Sequence, residues 1–335
     1  MNRFVEAGAA LMAAIAAYAV AAPAAKTVDG VGNAEPPMTL AKADEARRPK
    51  GIPDDLSGIA MCGKDGSFWA VCDSRGELCR FAVDIDPKDG KIKGCSLAEM
   101  RHVPSGKDME GLAYDPLRDS LWICDETGPR IFEYLFREDR VGGNVDLPEH
   151  LKKCIKNRSL EAIDISPDGL SLWTCNEKAI PGDSIPGAGN AAPVRLSRLT
   201  RRSASEPWKL SEQWFYLPEA RGAGVRNSDY RNGVAALCAD SKGRIVILER
   251  ERDDTRGLRF RMRIFEVVFP VAADAATSGS LQVLGKRLIY EEDTGTSMYE
   301  GMCIGPALKD GSGTFVLVSD GDREALESIM VLKVK

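Results

Sequence analysis

Two short apolar runs, joined by a tight turn, recur five times along this chain, and that recurrence limits the folds open to it. Residues 56–60, 109–113, 160–164, 233–237 and 299–303 form the first runs. Each is followed by a turn rich in Asp, Gly or Pro and then by a second run, at residues 68–73, 121–125, 172–176, 245–249 and 315–320. The second residues of the first runs stand 53, 51, 73 and 66 positions apart, and the second runs close 16, 15, 15, 15 and 20 residues after them. A hairpin at near-constant spacing is the mark of a repeat architecture. Third runs follow at 78–83, 130–135 and 261–268, and fourth runs at 213–217 and 286–290. Four antiparallel strands per unit, wheeled about an axis, make a β-propeller. The expectation is an all-β propeller of five four-stranded blades, with six as the alternative should residues 178–232 hide a degenerate unit. The last unit has room for three strands. A ring cannot close on a bare sheet edge, so residues near 37–40 are expected to add the missing outer strand. One short helix is expected within 147–156.

The first 25 residues differ from the rest. Arg3 precedes an alanine-rich, uncharged stretch over 7–22, and Ala22-Pro23-Ala24 fits a small-residue cleavage site. This reads as a secretory signal peptide, too short to span a bilayer comfortably, since about 20 apolar residues are needed. The expectation is a secreted or periplasmic protein with no stable membrane insertion after cleavage. Residues 26–50 are expected to be extended, and 51–335 to form the propeller domain. Lys and Arg number 45 against 50 Asp and Glu, a formal net charge of -5. That lacks the basic excess of a nucleic-acid partner. With two histidines, His102 and His150, a His-rich zinc site is excluded. Neither stands on the rim where a quinone or sugar dehydrogenase propeller would need one. Nine cysteines leave an odd thiol and form no CxxC pair. Cys79 and Cys95 are a candidate pair across neighbouring strands. Cys72, Cys124 and Cys175 read as small buried residues at an equivalent repeat position.

The repeat also places the polar residues. Antiparallel neighbours start and end at the same edge, so the openers of the first strands and the closers of the second converge on one mouth of the central channel. The openers are Ser57, Glu110, Glu161, Val234 and Glu300; the closers are Asp73, Asp125, Asn176, Glu249 and Asp320. Carboxylates at that density repel and shift their pKa values. A hard cation with oxygen ligands relieves the repulsion, and Ca2+ suits a flexible all-oxygen site. Candidate metal ligands are therefore Glu110, Glu161, Glu300, Asp125, Asn176, Asp73, Glu249 and Asp320. Basic residues border the same mouth: Lys178, Arg226, Arg231 and Arg250 are candidates for holding the anionic group of a small-molecule substrate. Glu126 and Glu177, next to two of the closers, are candidate catalytic bases. The glycine- and proline-rich residues 179–192 are a candidate flap.

The stretches Asp108-Met109-Glu110-Gly111-Leu112-Ala113-Tyr114-Asp115, Leu121-Trp122-Ile123-Cys124-Asp125-Glu126, Ser159-Leu160-Glu161-Ala162-Ile163-Asp164, Leu248-Glu249-Arg250 and Tyr299-Glu300-Gly301-Met302 resemble the phytase-like family, described as having esterase-like activity. The resemblance spans residues 50 to 335. It implies an exported β-propeller and hydrolysis of an ester or phosphoester. The chain is also distantly similar to calcium-dependent propeller lactonases, which place Glu, Asn and Asp ligands around the axis. Val234 and Ser57 stand where the repeat has glutamate, and the acidic signatures of the alkaline phytases are not found. Two readings follow. One is a metal-dependent hydrolase of a small anionic ester or phosphoester. The other is a non-catalytic propeller that binds a ligand or protein at the same mouth, with a structural cation.

Overall fold

Among the described residues, twenty strands form five antiparallel sheets of four, and the sheets stand around a common axis as the blades of a propeller. The computed structural model describes residues 37–335 apart from 74, 105, 156–157, 186–191, 220–229, 254–257, 271–280 and 322–326, with the backbone alone at 230–231. The expected signal peptide at 1–25 lies outside the described residues. Blade 1 is β2 (Leu56–Met61), β3 (Phe68–Cys72), β4 (Glu77–Ile85) and β5 (Ile92–His102). Blade 2 is β6 (Met109–Asp115), β7 (Ser120–Asp125), β8 (Arg130–Leu135) and β9 (Arg140–Asn144). Blade 3 is β10 (Leu160–Ile165), β11 (Ser171–Asn176), β12 (Val194–Thr200) and β13 (Lys209–Tyr216). Blade 4 is β14 (Tyr230–Ala239), β15 (Ile245–Asp253), β16 (Arg259–Val268) and β17 (Gly285–Gly295). Blade 5 is β18 (Met298–Ile304), β19 (Thr314–Asp320) and β20 (Ser328–Val334), completed by β1 (Leu40–Arg47).

The blade count is five, because the stretch between 178 and 232 supplies the outer half of blade 3, not a sixth unit. Closure runs through β1, which pairs antiparallel with β20 from Leu40 opposite Val334 to Arg47 opposite Ser328. In place of the expected helix within 147–156 there is a single 3-10 turn, Leu151–Lys153. Among the described residues no helix is long and apolar enough to cross a membrane.

Burial explains the sequence pattern. The second strands are packed on both faces and read as continuous runs: Phe68-Trp69-Ala70-Val71-Cys72 is wholly buried, as is Thr314–Asp320. Five apolar clusters hold the ring, each shared by two neighbouring blades. One joins Val71, Leu78 and Trp69 to Met109, Leu121 and Phe132; another joins Leu248 and Ile264 to Leu317 and Met330. No blade has a core of its own, so each is stable only between its neighbours. All nine cysteines are free thiols. The candidate Cys79–Cys95 pair is corrected by the register, which sets Cys79 opposite Met100 and Cys95 opposite Val83.

The first strands form the inner ring: β2 packs on β6, β6 on β10, β10 on β14, β14 on β18, and β18 on β2. Their backbones come very close, and this is why glycine follows the opener. A Cβ on Gly111 would stand 2.6 Å from the Glu161 carbonyl oxygen, and one on Gly301 would stand 2.2 Å from the Ser57 carbonyl oxygen. At the far rim each hairpin turn is fastened by its own aspartate, which accepts an N–H two residues on: Asp65 from Ser67, Asp115 from Leu117, Asp168 from Leu170, Asp240 from Lys242 and Asp310 from Ser312.

Gly301→Ala forces the inner strands apart and is expected to cost about 1–3 kcal/mol, a fall of several degrees in melting temperature. Gly94→Ala, where a Cβ meets nothing within 4 Å, is the matched control and should leave the melting temperature nearly unchanged.

Candidate active site

In every blade the pairing of the first two strands slips at the opener. The register jumps between Leu56 and Ile59, Met109 and Leu112, Leu160 and Ala162, Val234 and Ala236, and Tyr299 and Gly301. A bulge re-aims the side chain that it carries. Aligning the bulges sets Ser57, Glu110, Glu161, Ala235 and Glu300 in equivalent places. The same registers pair Leu56, Met109, Leu160, Val234 and Tyr299 with Cys72, Asp125, Asn176, Glu249 and Ser319. The residues after these, Asp73, Glu126, Glu177, Arg250 and Asp320, form a second equivalent ring.

The carboxylates gather where the two rings meet. Glu110, Glu126 and Glu161 each bring an oxygen within 4.8 Å of the others, and so do Asp73, Asp108 and Glu110. The Ser57 hydroxyl donates to Glu110 at 2.6 Å, and the Ser159 N–H donates to Glu126. Glu161 is 5% exposed, and among the described residues no N–H, O–H or cation hydrogen-bonds to its carboxylate. Burial, then the charge of Asp73, pushes Glu110 up to about 8. Burial, then Glu110, pushes Glu126 up to about 8. Burial and a hydrogen bond with Asp108 raise Asp73 to about 7. Glu161 is raised well above the carboxylate range by burial and by Glu110 and Glu177.

Three basic groups answer this charge. Arg250 bridges Glu177, at 3.3 Å, and Glu300. Burial opposes the Arg250 charge, but Glu177, Glu161, Glu110 and Asp320 more than restore it. Arg158 reaches both oxygens of Glu177 at 3.0 and 3.1 Å. Lys178 lies 3.6 Å from Glu177 and donates to the Asn232 carbonyl, with its pKa lowered by burial.

The remaining sequence candidates lie elsewhere. Asp125 accepts the Lys107 and Thr127 N–H groups and pairs with Arg130 at 2.7 Å. Asn176 accepts the Arg195 N–H at 2.9 Å and donates to the Lys178 carbonyl. Glu249 is held by the Tyr216 hydroxyl and Lys286, both at 2.7 Å, and by the Glu219 N–H and the Asn232 amide. These three share the register position one residue before the second ring, and they fasten nearby loops, with Glu249 also tying blade 4 to Tyr216 of blade 3. Asp73 and Asp320 stand one position further on and join the second ring. Arg231 lies on β14 opposite Arg252. Arg226 and flap residues 186–191 lie outside the described residues. Asp108, Arg158 and the Ser57 hydroxyl were not among the sequence candidates. Asp108 could have been found, since it stands two residues before Glu110; Arg158 sits in a loop with no repeat signal.

The donor set is all oxygen, with no histidine or cysteine in either triad. It fits a hard divalent cation better than zinc or copper.

The family model described as "Phytase-like: Esterase-like activity of phytase" matches residues 54–323. The chain belongs to this family. The matched span takes in every residue of both rings. No curated protein sequence matches the chain. Among solved structures it is similar to a periplasmic gluconolactonase of Pseudomonas aeruginosa, at 11% identity over 81% of this chain and 83% of that one, with a TM-score of 0.39. It is also similar to a luciferin-regenerating enzyme, at 12% identity over 89% and 95% with a TM-score of 0.40. A third is the PQQ domain of pyranose dehydrogenase from Coprinopsis cinerea, at 10% identity over 90% and 98% with a TM-score of 0.41. Likenesses this distant carry no argument about activity.

The raised carboxyl groups fix a pH dependence. Glu110 and Glu126 hold protons in the folded chain between about 4.5 and 8, where the unfolded chain has released them. The folded state binds more protons in that window, so stability falls as pH rises through it. Chelator-treated protein should melt at a lower temperature at pH 8 than at pH 5. Added Ca2+ should raise the melting point at pH 8 and have little effect at pH 5.

Proposed function

We propose that this chain is an exported hydrolase that cleaves an ester or phosphoester of a small anionic substrate at the channel mouth, assisted by a hard divalent cation, with Ca2+ the best fit. The observation that carries this reading is Glu161. Its carboxylate is buried, lacks a donor among the described residues, and lies against two further glutamates. A buried carboxylate without a donor or a cation is costly. Glu110 and Glu161 would hold the cation, leaving Glu126 beside it, and the bound cation would polarise the ester or phosphoryl oxygen as a Lewis acid.

The chain's own residues supply the rest. Of the two candidate bases, Glu126 is the better suited. It has a single N–H donor and no basic partner among the described residues, and burial raises its carboxyl group, so it is suited to take and give a proton. Glu177 is tied to Arg158, Arg250 and Lys178, which occupy its carboxylate. In the reaction the oxygen of water bonds to the acyl carbon or phosphorus, and the bond to the alkoxy oxygen breaks. One water proton passes to Glu126 and then to the departing alkoxy oxygen. Arg250 and Lys178 border this point and would orient the anionic group, with Arg226 and Arg231 as further candidates. Export rests on the signal-like residues 1–25, and N-terminal sequencing of the mature protein tests it.

The alternative is a propeller that binds without catalysis. It is favoured by the pairing of Arg250 with Glu177 and Glu300, which occupies the best anion-binding group. The two readings separate on turnover. Under the hydrolase reading, wild-type protein cleaves a nitrophenyl phosphate or carboxylic ester, EGTA abolishes the activity and Ca2+ restores it. Glu126→Gln should lower kcat by about 10²–10⁴-fold with the fold intact by circular dichroism. No cleavage on either ester with or without Ca2+ would establish the binding module.

A further inference from the structure

Three tryptophans occupy one equivalent place in three blades. Trp69, Trp122 and Trp173 pair across the first hairpin with Ala60, Ala113 and Asp164. Two of them are covered by further rings of the chain. Trp208 packs edge-on against Trp122 at 6.0 Å, and Trp214 and Phe269 lie 5.9 and 5.8 Å from Trp173. The Trp122 N–H donates to Asp115 at 3.2 Å, and Arg201 binds the same carboxylate while it stacks on Trp208. Blade 1 lacks these parts. Cys62 stands where blade 2 has Asp115, two residues past the paired alanine, and the buried Trp69 N–H has no acceptor among the described residues. The segment that brings Arg201 and Trp208 to Trp122 is residues 201–208. Its counterpart beside Trp69, residues 136–139, is half as long and brings one ring, Phe136. What remains is a cavity of about 530 Å³ between blades 1 and 2, at the rim opposite the carboxylate cage of Glu110, Glu126 and Glu161, with Cys62, Trp69 and Phe136 in its lining.

Charge is unevenly spread around this cavity. Arg80 and Arg101 are answered by Asp65, Glu99 and Asp139. Lys64 and Arg137 share the single carboxylate of Asp119, at 2.8 and 2.5 Å. Among the described residues Arg137 hydrogen-bonds only through its Nε–H, so its two terminal nitrogens are left for a bidentate anion.

We propose that this cavity binds a small planar aromatic acid. The ring takes the place that Trp208 fills in blade 2, the carboxylate meets Arg137 and Lys64, and a second oxygen on the ring accepts the Trp69 N–H. A cavity of this size is ordinary for a small-molecule site. An unmet buried donor, a vacant ring position and a doubly basic corner are together what such a ligand would satisfy. The site is independent of the hydrolase reading, because no residue in its lining belongs to either ring at the channel mouth.

The probe is 4-hydroxybenzoate, titrated into the full chain by calorimetry and by the indole N–H resonances, with Trp69→Phe assigning the Trp69 signal. Wild type should bind one molecule with a Kd of about 1 mM or tighter, and the Trp69 signal should shift. Arg137→Ala and Lys64→Ala alter exposed side chains, should keep the fold, and should each weaken binding about tenfold. Phenol, which lacks the acid, and cyclohexanecarboxylate, which lacks the flat ring, should bind about tenfold more weakly than the probe. No binding by wild type overturns the inference, as does a Trp69 signal that stays in place. A Kd unchanged in Arg137→Ala puts the probe elsewhere and also overturns it. Phenol binding as tightly as the probe refutes the anion corner, and cyclohexanecarboxylate doing so refutes the aromatic ring. If Trp69→Phe fails to fold, the two surface variants decide alone.

Discussion

Close approach of the inner strands is the constraint on which the rest of this structure depends. Five first strands must stand around a narrow axis, and they come near enough for the carbonyl of one to occupy the place of a Cβ on the next. Glycine at 58, 111 and 301 permits that contact. The bulge beside each turns the preceding side chain away from the packed blade and toward the axis. The same local device that tightens the ring therefore delivers Glu110 and Glu300 to it, and Glu161 beside Ala162 follows the same register. Packing and site chemistry share one cause.

Gathering carboxylates in this way creates an electrostatic problem that the chain answers in part. On the side of blades 3 to 5, Arg250, Arg158 and Lys178 surround Glu177, with Glu300 drawn to Arg250. Arg250 occupies, in blade 4, the place held by Glu126 in blade 2 and Glu177 in blade 3, so one basic residue interrupts a ring of acids. On the side of blades 1 and 2 no such residue intervenes among the described residues; burial and the neighbouring carboxylates push Asp73, Glu110 and Glu126 upward, and protons take the role. Protons and a divalent cation would compete for the same oxygens, which would tie the cation affinity of this half of the cage to pH. The far rim shows the contrast: each hairpin aspartate there is spent on its own turn and contributes nothing to the cage.

Much of the fold was legible from the chain. The recurring paired runs gave the five blades, and the missing strand of the last unit pointed to the N-terminal segment, which the structure places at Leu40–Arg47. The third strand of blade 3, Val194–Thr200, was not legible, because Arg195 and Arg198 break its apolar run. Site residues were legible only within one position. Reading the end of each second run as a single class joined Asp73 and Asp320 to Asp125, Asn176 and Glu249. The registers divide them, and a shift of one residue turns a strand side chain to the opposite face. Likewise the repeat spacing makes Val234 the opener of blade 4, where the register gives Ala235. The sequence by itself determined the repeat, its count and the presence of many acids near each first strand, because apolar periodicity and spacing are properties of the chain. Which acids meet was decided by the tertiary structure alone, because that depends on where each bulge falls and on contacts between blades about 50 residues or more apart.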